Sequence, residues 1–253
     1  MRGAPVASKH SNHPETSEPL AEILSRGEKA MDWIGENAVP VLSVVAVLLL
    51  LAGGYGFYQN SRATAEGDAA NALAKARDSY LVAMGASPGA IEVPELANPA
   101  AGAAIRSEYQ ERFQEVAEEH AGTAAAALAR LEEGKLAADG GDDAKALEIW
   151  RAAVLERPAG DPFTGALQLK IAQTLEADSD WVGAAEAFAS AGNIDAYPFR
   201  HWALAEAARC FLMADQPEAA LELQQRLQAE APDLVLPDHL RSRLRELAVA
   251  NPS

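Results

Sequence analysis

From Asn37 to Ser61 the chain runs for 25 residues without a charged side chain, and from Val39 to Tyr58 it is almost wholly apolar. A helix needs about 20 such residues to cross the hydrocarbon core of a bilayer. The Val, Leu and Phe side chains of this stretch favour insertion by roughly 3–6 kcal/mol in total. Trp33 lies before it, and Tyr55, Phe57 and Tyr58 close its far end, as interfacial aromatics do. Pro40 falls in the first turn, where its missing N–H costs little. The expectation is one transmembrane helix over residues 38–58. Ala63-Thr64-Ala65 has the small-x-small form of a signal-peptidase site. A 37-residue acidic lead is too long for a signal-peptide n-region, however, so an uncleaved anchor is expected.

The lead itself, residues 1–37, has little to bury. Residues 1–19 are polar and contain Pro, which predicts disorder. Leu20, Ile23, Leu24, Met31 and Ile34 then recur at helical spacing across Gly27. They read either as a short amphipathic helix against the membrane or a partner, or as a run-in to the anchor.

Charge is distributed unevenly. Arg2, Lys9, Arg26 and Lys29 face six acids in the lead, a balance of −2, so −14 of the net −16 follows the apolar stretch. Such a surface repels phosphate backbones and anionic lipid, which argues against nucleic acid as a partner. Positive charge flanks the apolar stretch on both sides, at Arg26 and Lys29 and at Arg62, Lys75 and Arg77, so charge does not set the orientation. The single Cys210 excludes an intrachain disulfide and, at helical spacing among Ala and Phe, reads as a small core residue.

Beyond the anchor the chain is rich in Ala, Leu, Glu, Gln and Arg, the residues that lose least on entering a helix, with Pro and Gly at intervals. The expected fold class is all-α: the transmembrane helix followed by a TPR-like antiparallel helical-repeat domain, an α-solenoid. Residues 59–122 are expected to hold a linker helix and a first helical pair, and residues 123–250 the repeats. In the linker helix, Ala70, Leu73, Ala74, Arg77 and Leu81 trace one face; a break follows from Gly85 to Pro99. Ile105, Tyr109, Phe113, Val116 and Ala117 form the stripe of the next helix.

From Thr123, helices of 12–16 residues alternate with turns at Gly140–Asp142, Pro158–Pro162, Asp178–Asp180, Gly192-Asn193 and Asp215–Pro217. Asp161 followed by Pro162 reads as an N-cap with Pro at N1, and Asp180 and Asp215 also suit caps. Three segments repeat one design, a turn residue, a small Ala and then a bulky residue: Ala146 with Trp150, Ala184 with Phe188, and Ala219 or Ala220 before Leu223. The Ala spacings of 38 and then 35 or 36 lie near the 34 of a tetratricopeptide repeat, whose second helix has this pattern. Gly134 and Ala172 hold the matching small position of the preceding helices. In such arrays the first helix of each repeat lines the peptide-binding face. The register places Lys135, Gln173 and Arg209 there, with Leu131, Leu169 and Trp202 as neighbours. Cations flanked by apolar side chains could hold a peptide backbone or carboxylate.

With these parts in order, the chain resembles the YfgM-type family of membrane-anchored TPR proteins, the ancillary subunit of the bacterial Sec translocon. The likeness rests on Asp32-Trp33-Ile34-Gly35-Glu36-Asn37 before the membrane and Gly53-Gly54-Tyr55-Gly56-Phe57-Tyr58 at its far end. Ser79-Tyr80 and the Phe113, Thr123, Leu128 passage add to it. The resemblance implies a cytoplasmic N-terminus, an extracytoplasmic TPR domain at the inner membrane, and translocon subunits, periplasmic chaperones or client chains as partners. Rival readings are a direct holdase and an envelope-assembly or cell-division adaptor.

Catalytic motifs are not evident. The histidines (10, 13, 120, 201, 239) are scattered, and the sequence holds no Gly-x-Ser-x-Gly, P-loop or dinucleotide fingerprint. Asp178-x-Asp180 lacks the Gly and Glu of a calcium loop and reads as a repeat turn. No enzyme activity, cofactor, metal or small-molecule substrate is expected.

Overall fold

A computed structural model describes residues 38–87, 89–158 and 160–250, the side chains of 38–42, 44–46 and 248–250 excepted. The described residues form helices and no strands. They are α1 (Ala38–Ala83), α2 (Pro99–Glu119), α3 (Ala124–Asp139), α4 (Asp143–Leu155), α5 (Pro162–Ala177), α6 (Trp181–Gly192), α7 (Arg200–Met213), α8 (Pro217–Glu230) and α9 (Asp238–Ala250). The chain divides into two units, 1–61 and 62–253. The readings made for residues 1–37 lie outside the described residues.

In the first unit, Val47 to Tyr58 present exposed apolar side chains, Leu48 through Leu51 among them. Among the described residues no helix is long and apolar enough to cross a membrane. Most of the remainder of the expected span, 38–46, lies outside the described side chains.

The second unit is an antiparallel helical repeat. Each helix from α2 to α9 packs on its chain neighbours, and α3 also meets α5 while α5 meets α7. Alternate helices therefore lie side by side, with α4 and α6 against them as a second layer. The turns that close α3, α5 and α7 are copies of one another. Gly141, Ser179 and Asp215 each adopt positive φ, at 83°, 63° and 56°. In each, the next residue's N–H reaches back to a helix carbonyl: Asp142 to Ala137 at 2.9 Å, Asp180 to Leu175 at 2.8 Å, Gln216 to Phe211 at 2.9 Å. This 6→1 bond over a left-handed residue satisfies carbonyls that a helix end leaves open.

Those turns revise one capping assignment. Asp142 and Asp180 cap α4 and α6, accepting from Lys145 N–H at 3.0 Å and Gly183 N–H at 2.9 Å. Asp215 does not cap α8. It holds the left-handed turn position, and Gln216 occupies the N-cap without a side-chain bond. Asp161 caps α5 through Phe163 N–H at 2.8 Å with Pro162 following, as expected. Pro99 opens α2 instead of ending the break, because Asn98 caps Ala100 and Ala101.

The core follows the small residues. Ala146, Ala184 and Ala220 are fully buried, which makes Ala220 the third repeat's position, whereas Ala219 is half-buried. Trp150 and Phe188 fill the core four residues after the first two. The third repeat departs from this: four residues after Ala220 stands Gln224, and Leu227 is buried instead. A Cβ placed on Gly134 would fall inside the indole of Trp150, so only glycine allows α3 and α4 to approach this closely. Where the bulky residue is the smaller Phe188, the partner position holds Ala172. Cys210 is a fully buried core residue, and burial pushes its thiol up to about 11.

A second core joins α1, α2 and α3. Tyr109, Phe113, Val116 and Ala117 are buried as the stripe predicts. On α1 the buried face is Ala69, Leu73, Ala76 and Tyr80, continued by Met84 directly after the helix, and is rotated from the expected one; Ala70, Ala74 and Arg77 face solvent. Tyr80 and Met84 carry far more apolar surface than the alanines, and their burial sets the rotation.

Candidate functional site

The face formed by α3, α5 and α7 carries the residues chosen from the repeat register. Leu131 and Leu169 are half-buried against the same core cluster. The Leu131 carbonyl also accepts the Trp150 indole N–H at 3.4 Å. Lys135 is exposed and paired with Asp139, one turn along α3. Gln173 is exposed, and its amide oxygen accepts from Lys170 at 3.4 Å. Trp202 is 42 % exposed and sets its ring edge-on to Phe188, centroids 6.0 Å apart. Arg209 donates to Glu206 on its own helix and to Glu176 on α5, both at 2.7 Å.

The two cations thus differ from their expected state. Neither is an open charge: Lys135 has Asp139, and Arg209 has two carboxylates, whose hydrogen bonds outweigh burial and raise its pKa further. They also do not converge. Arg209 works between α5 and α7, whereas Lys135 lines a cavity of about 400 Å³ with Arg77, Tyr80 and Arg106. A like ion pair joins the first part of this layer, Arg77 of α1 to Glu132 of α3 at 3.2 Å. Glu66 of α1 also accepts from the first N–H of α3, Ala124, at 3.0 Å. The face therefore extends to the second-unit part of α1, which register reasoning left out.

Exposed apolar side chains complete the face. Leu128 stands six residues before Gly134, as Trp202 stands six before Ala208; both are exposed, and so is Met213 near the end of α7. The shared offset from the small residue is a signal the sequence carried for Leu128. Apolar surface between ion-paired side chains fits an extended polypeptide, whose backbone offers hydrogen bonds and whose side chains seek pockets.

Two solved structures are similar to this chain. Both are crystal structures of nearly identical TPR-like repeats of a kinesin light chain candidate from Podosopora anserina, the second being that of a single-substitution variant. Each is 20% identical over 58% of this chain, at a TM-score of 0.42, covering 80% of the first and 79% of the second. The helical repeat itself is seen in the three matching turns and the alternate-helix contacts. No protein-family model and no curated protein matches the chain.

Proposed function

We propose that this protein is a membrane-anchored scaffold that binds other proteins through the face of alternate helices α1, α3, α5 and α7. The observation that carries the binding role is that face itself. Helices two apart in the chain lie side by side and present Leu128, Trp202 and Met213 to solvent among paired charges. Isolated exposed side chains are ordinary, but three on one layer of a repeat form a docking surface.

The anchor is residues 38–58. Leu48, Leu49, Leu50 and Leu51 are all exposed. Successive helical residues turn by about 100°, so these four point to every side of the helix. A protein partner covers one side; a lipid environment covers all of them, which favours membrane as the surrounding medium. The resemblance to YfgM-type proteins favours an N-terminus in the cytoplasm and repeats outside the bacterial inner membrane. On this reading the partners are translocon subunits and periplasmic chaperones. The same exposed apolar residues also support direct holdase action on client chains, which suppression of aggregation by the purified protein would reveal.

Mild-detergent purification of the tagged full-length protein, with mass spectrometry of co-purifying proteins, tests the assignment. Recovery of translocon subunits and periplasmic chaperones is the expected result. Recovery of cell-wall or outer-membrane assembly factors in their place would discard the secretion role and retain the scaffold.

A further inference from the structure

The chain between α1 and α2 crosses the start of the same face. Residues 93–96 have no regular structure. Val93 and Leu96 rest on the core shared by α1, α2 and α3, while Ile91 is 99 % exposed. Ile91, Val93 and Glu95 line the cavity of about 400 Å³ together with Arg77, Arg106, Glu132, Lys135 and Asp139. Glu95 accepts from Arg106 at 3.3 and 3.4 Å. Among the described residues, the backbone of 91–97 makes no hydrogen bond to another backbone group. The described contacts of this strap are made by side chains, Val93 and Leu96 on the core and Glu95 on Arg106.

The Glu95–Arg106 pair is asymmetric. The Arg106 side chain is 13 % exposed and built into the fold, whereas that of Glu95 is 76 % exposed. The Arg106 Nε is covered yet has no acceptor. Covering a charged donor without pairing it costs free energy, so the strap closes the site without completing it. With Glu95 set aside, the lining holds three cations against two acids, in a domain that otherwise carries a charge of −14. That local balance calls for a carboxylate.

We propose that residues 90–97 are a tethered occupant of the binding face, and that the partner is an extended segment presenting the same groups as Val93, Glu95 and Leu96. Such a segment offers an apolar side chain, a carboxylate two residues later and a second apolar side chain directly after it. It displaces the strap, its carboxylate replaces Glu95 at Arg106, and its apolar groups take the seats of Val93 and Leu96. The inference rests on the proposed peptide-binding role of the face and names the ligand chemistry at its first part.

The experiment uses the full chain in detergent and a fluorescent peptide of the strap's own sequence, Ala90 to Ala97, read by anisotropy. The substitution Glu95→Arg places a cation against Arg106, Arg77 and Lys135 and releases the strap; because Glu95 is exposed, the fold is kept. A site occupied in cis binds with an affinity reduced by the fraction of open protein. The variant is expected to bind the peptide at least about fivefold more tightly than the wild type. A peptide with Gln in place of the Glu95 equivalent should lose that gain. Equal binding by wild type and variant, or equal binding of the two peptides, would overturn the tethered occupant. If cellular partners are still recovered in that case, the scaffold reading stands and only the strap falls.

Discussion

The guanidinium of Arg209 on α7 donates to Glu176 on α5 at 2.7 Å, tying together two helices that are not neighbours in the chain. Arg77 of α1 and Glu132 of α3 make the corresponding pair at 3.2 Å. Both pairs join adjacent helices of one layer, so charge on this face holds the layer together. Arg209→Met removes the shared cation and leaves Glu176 and Glu206 without it. Destabilisation of about 1 kcal/mol is expected from loss of these partly exposed pairs. Urea unfolding followed by circular dichroism measures it, and the loss should shrink at high salt.

Gly134 and Trp150 set how closely α3 and α4 approach. Gly134→Ala forces the indole aside and should cost about 1–3 kcal/mol, the usual penalty for overpacking. The second repeat shows the remedy, since Ala172 there accompanies Phe188. Adding Trp150→Phe to Gly134→Ala should therefore cost less than the two single changes summed. A double-mutant cycle on unfolding free energies reads that coupling directly.

Arg157 links three helices at one turn. Its side chain is 9 % exposed, donates to the Thr123 carbonyl at 2.9 Å, and pairs with Asp161, the cap of α5. Arg157→Ala leaves Asp161 and a buried carbonyl without this donor and should destabilise by about 2–3 kcal/mol. Thermal melting would show it, and Arg157→Lys should recover only part of the loss.

How far these features could be read beforehand varied with the size of the side chains involved. Ala146 and Ala184 were legible because each stands four residues before a large aromatic. In the third repeat no aromatic follows, and Ala219 and Ala220 looked alike until the fold buried one of them. The α1 face was misplaced for a related reason: alanine on every side of a helix leaves little amphipathic contrast, so the rotation is set by Tyr80 and Met84 in tertiary contact. Ion pairs between helices, such as Arg209–Glu176, depend on which helices lie side by side, and a periodic pattern along one helix does not contain that. Residues 85–99 read in the sequence as a Pro-containing break, because the pattern does not show that Val93 and Leu96 pack on the core of α1, α2 and α3.

Glu133 is a buried carboxylate on α3, paired with Arg130 at 2.9 Å. Burial raises its pKa above the usual 4.5, more than the arginine lowers it. The folded protein therefore holds this proton more tightly than the unfolded chain. The contribution of Glu133 to stability falls as pH rises from the unfolded pKa through the folded one. Glu133→Gln removes that dependence. The stability of the variant relative to wild type should rise between pH 4 and pH 7, as measured by denaturant unfolding at each pH.

The role proposed for the face of alternate helices is to bind protein partners. Its most direct test is quantitative co-purification with the full-length protein and with a Lys135→Glu, Trp202→Ala double variant, its helical fold checked by circular dichroism because Trp202 also packs on Phe188. The variant is expected to stay folded and membrane-bound while its specific partners fall to background. Recovery of the same partners at wild-type levels would contradict it and move the binding role to another surface.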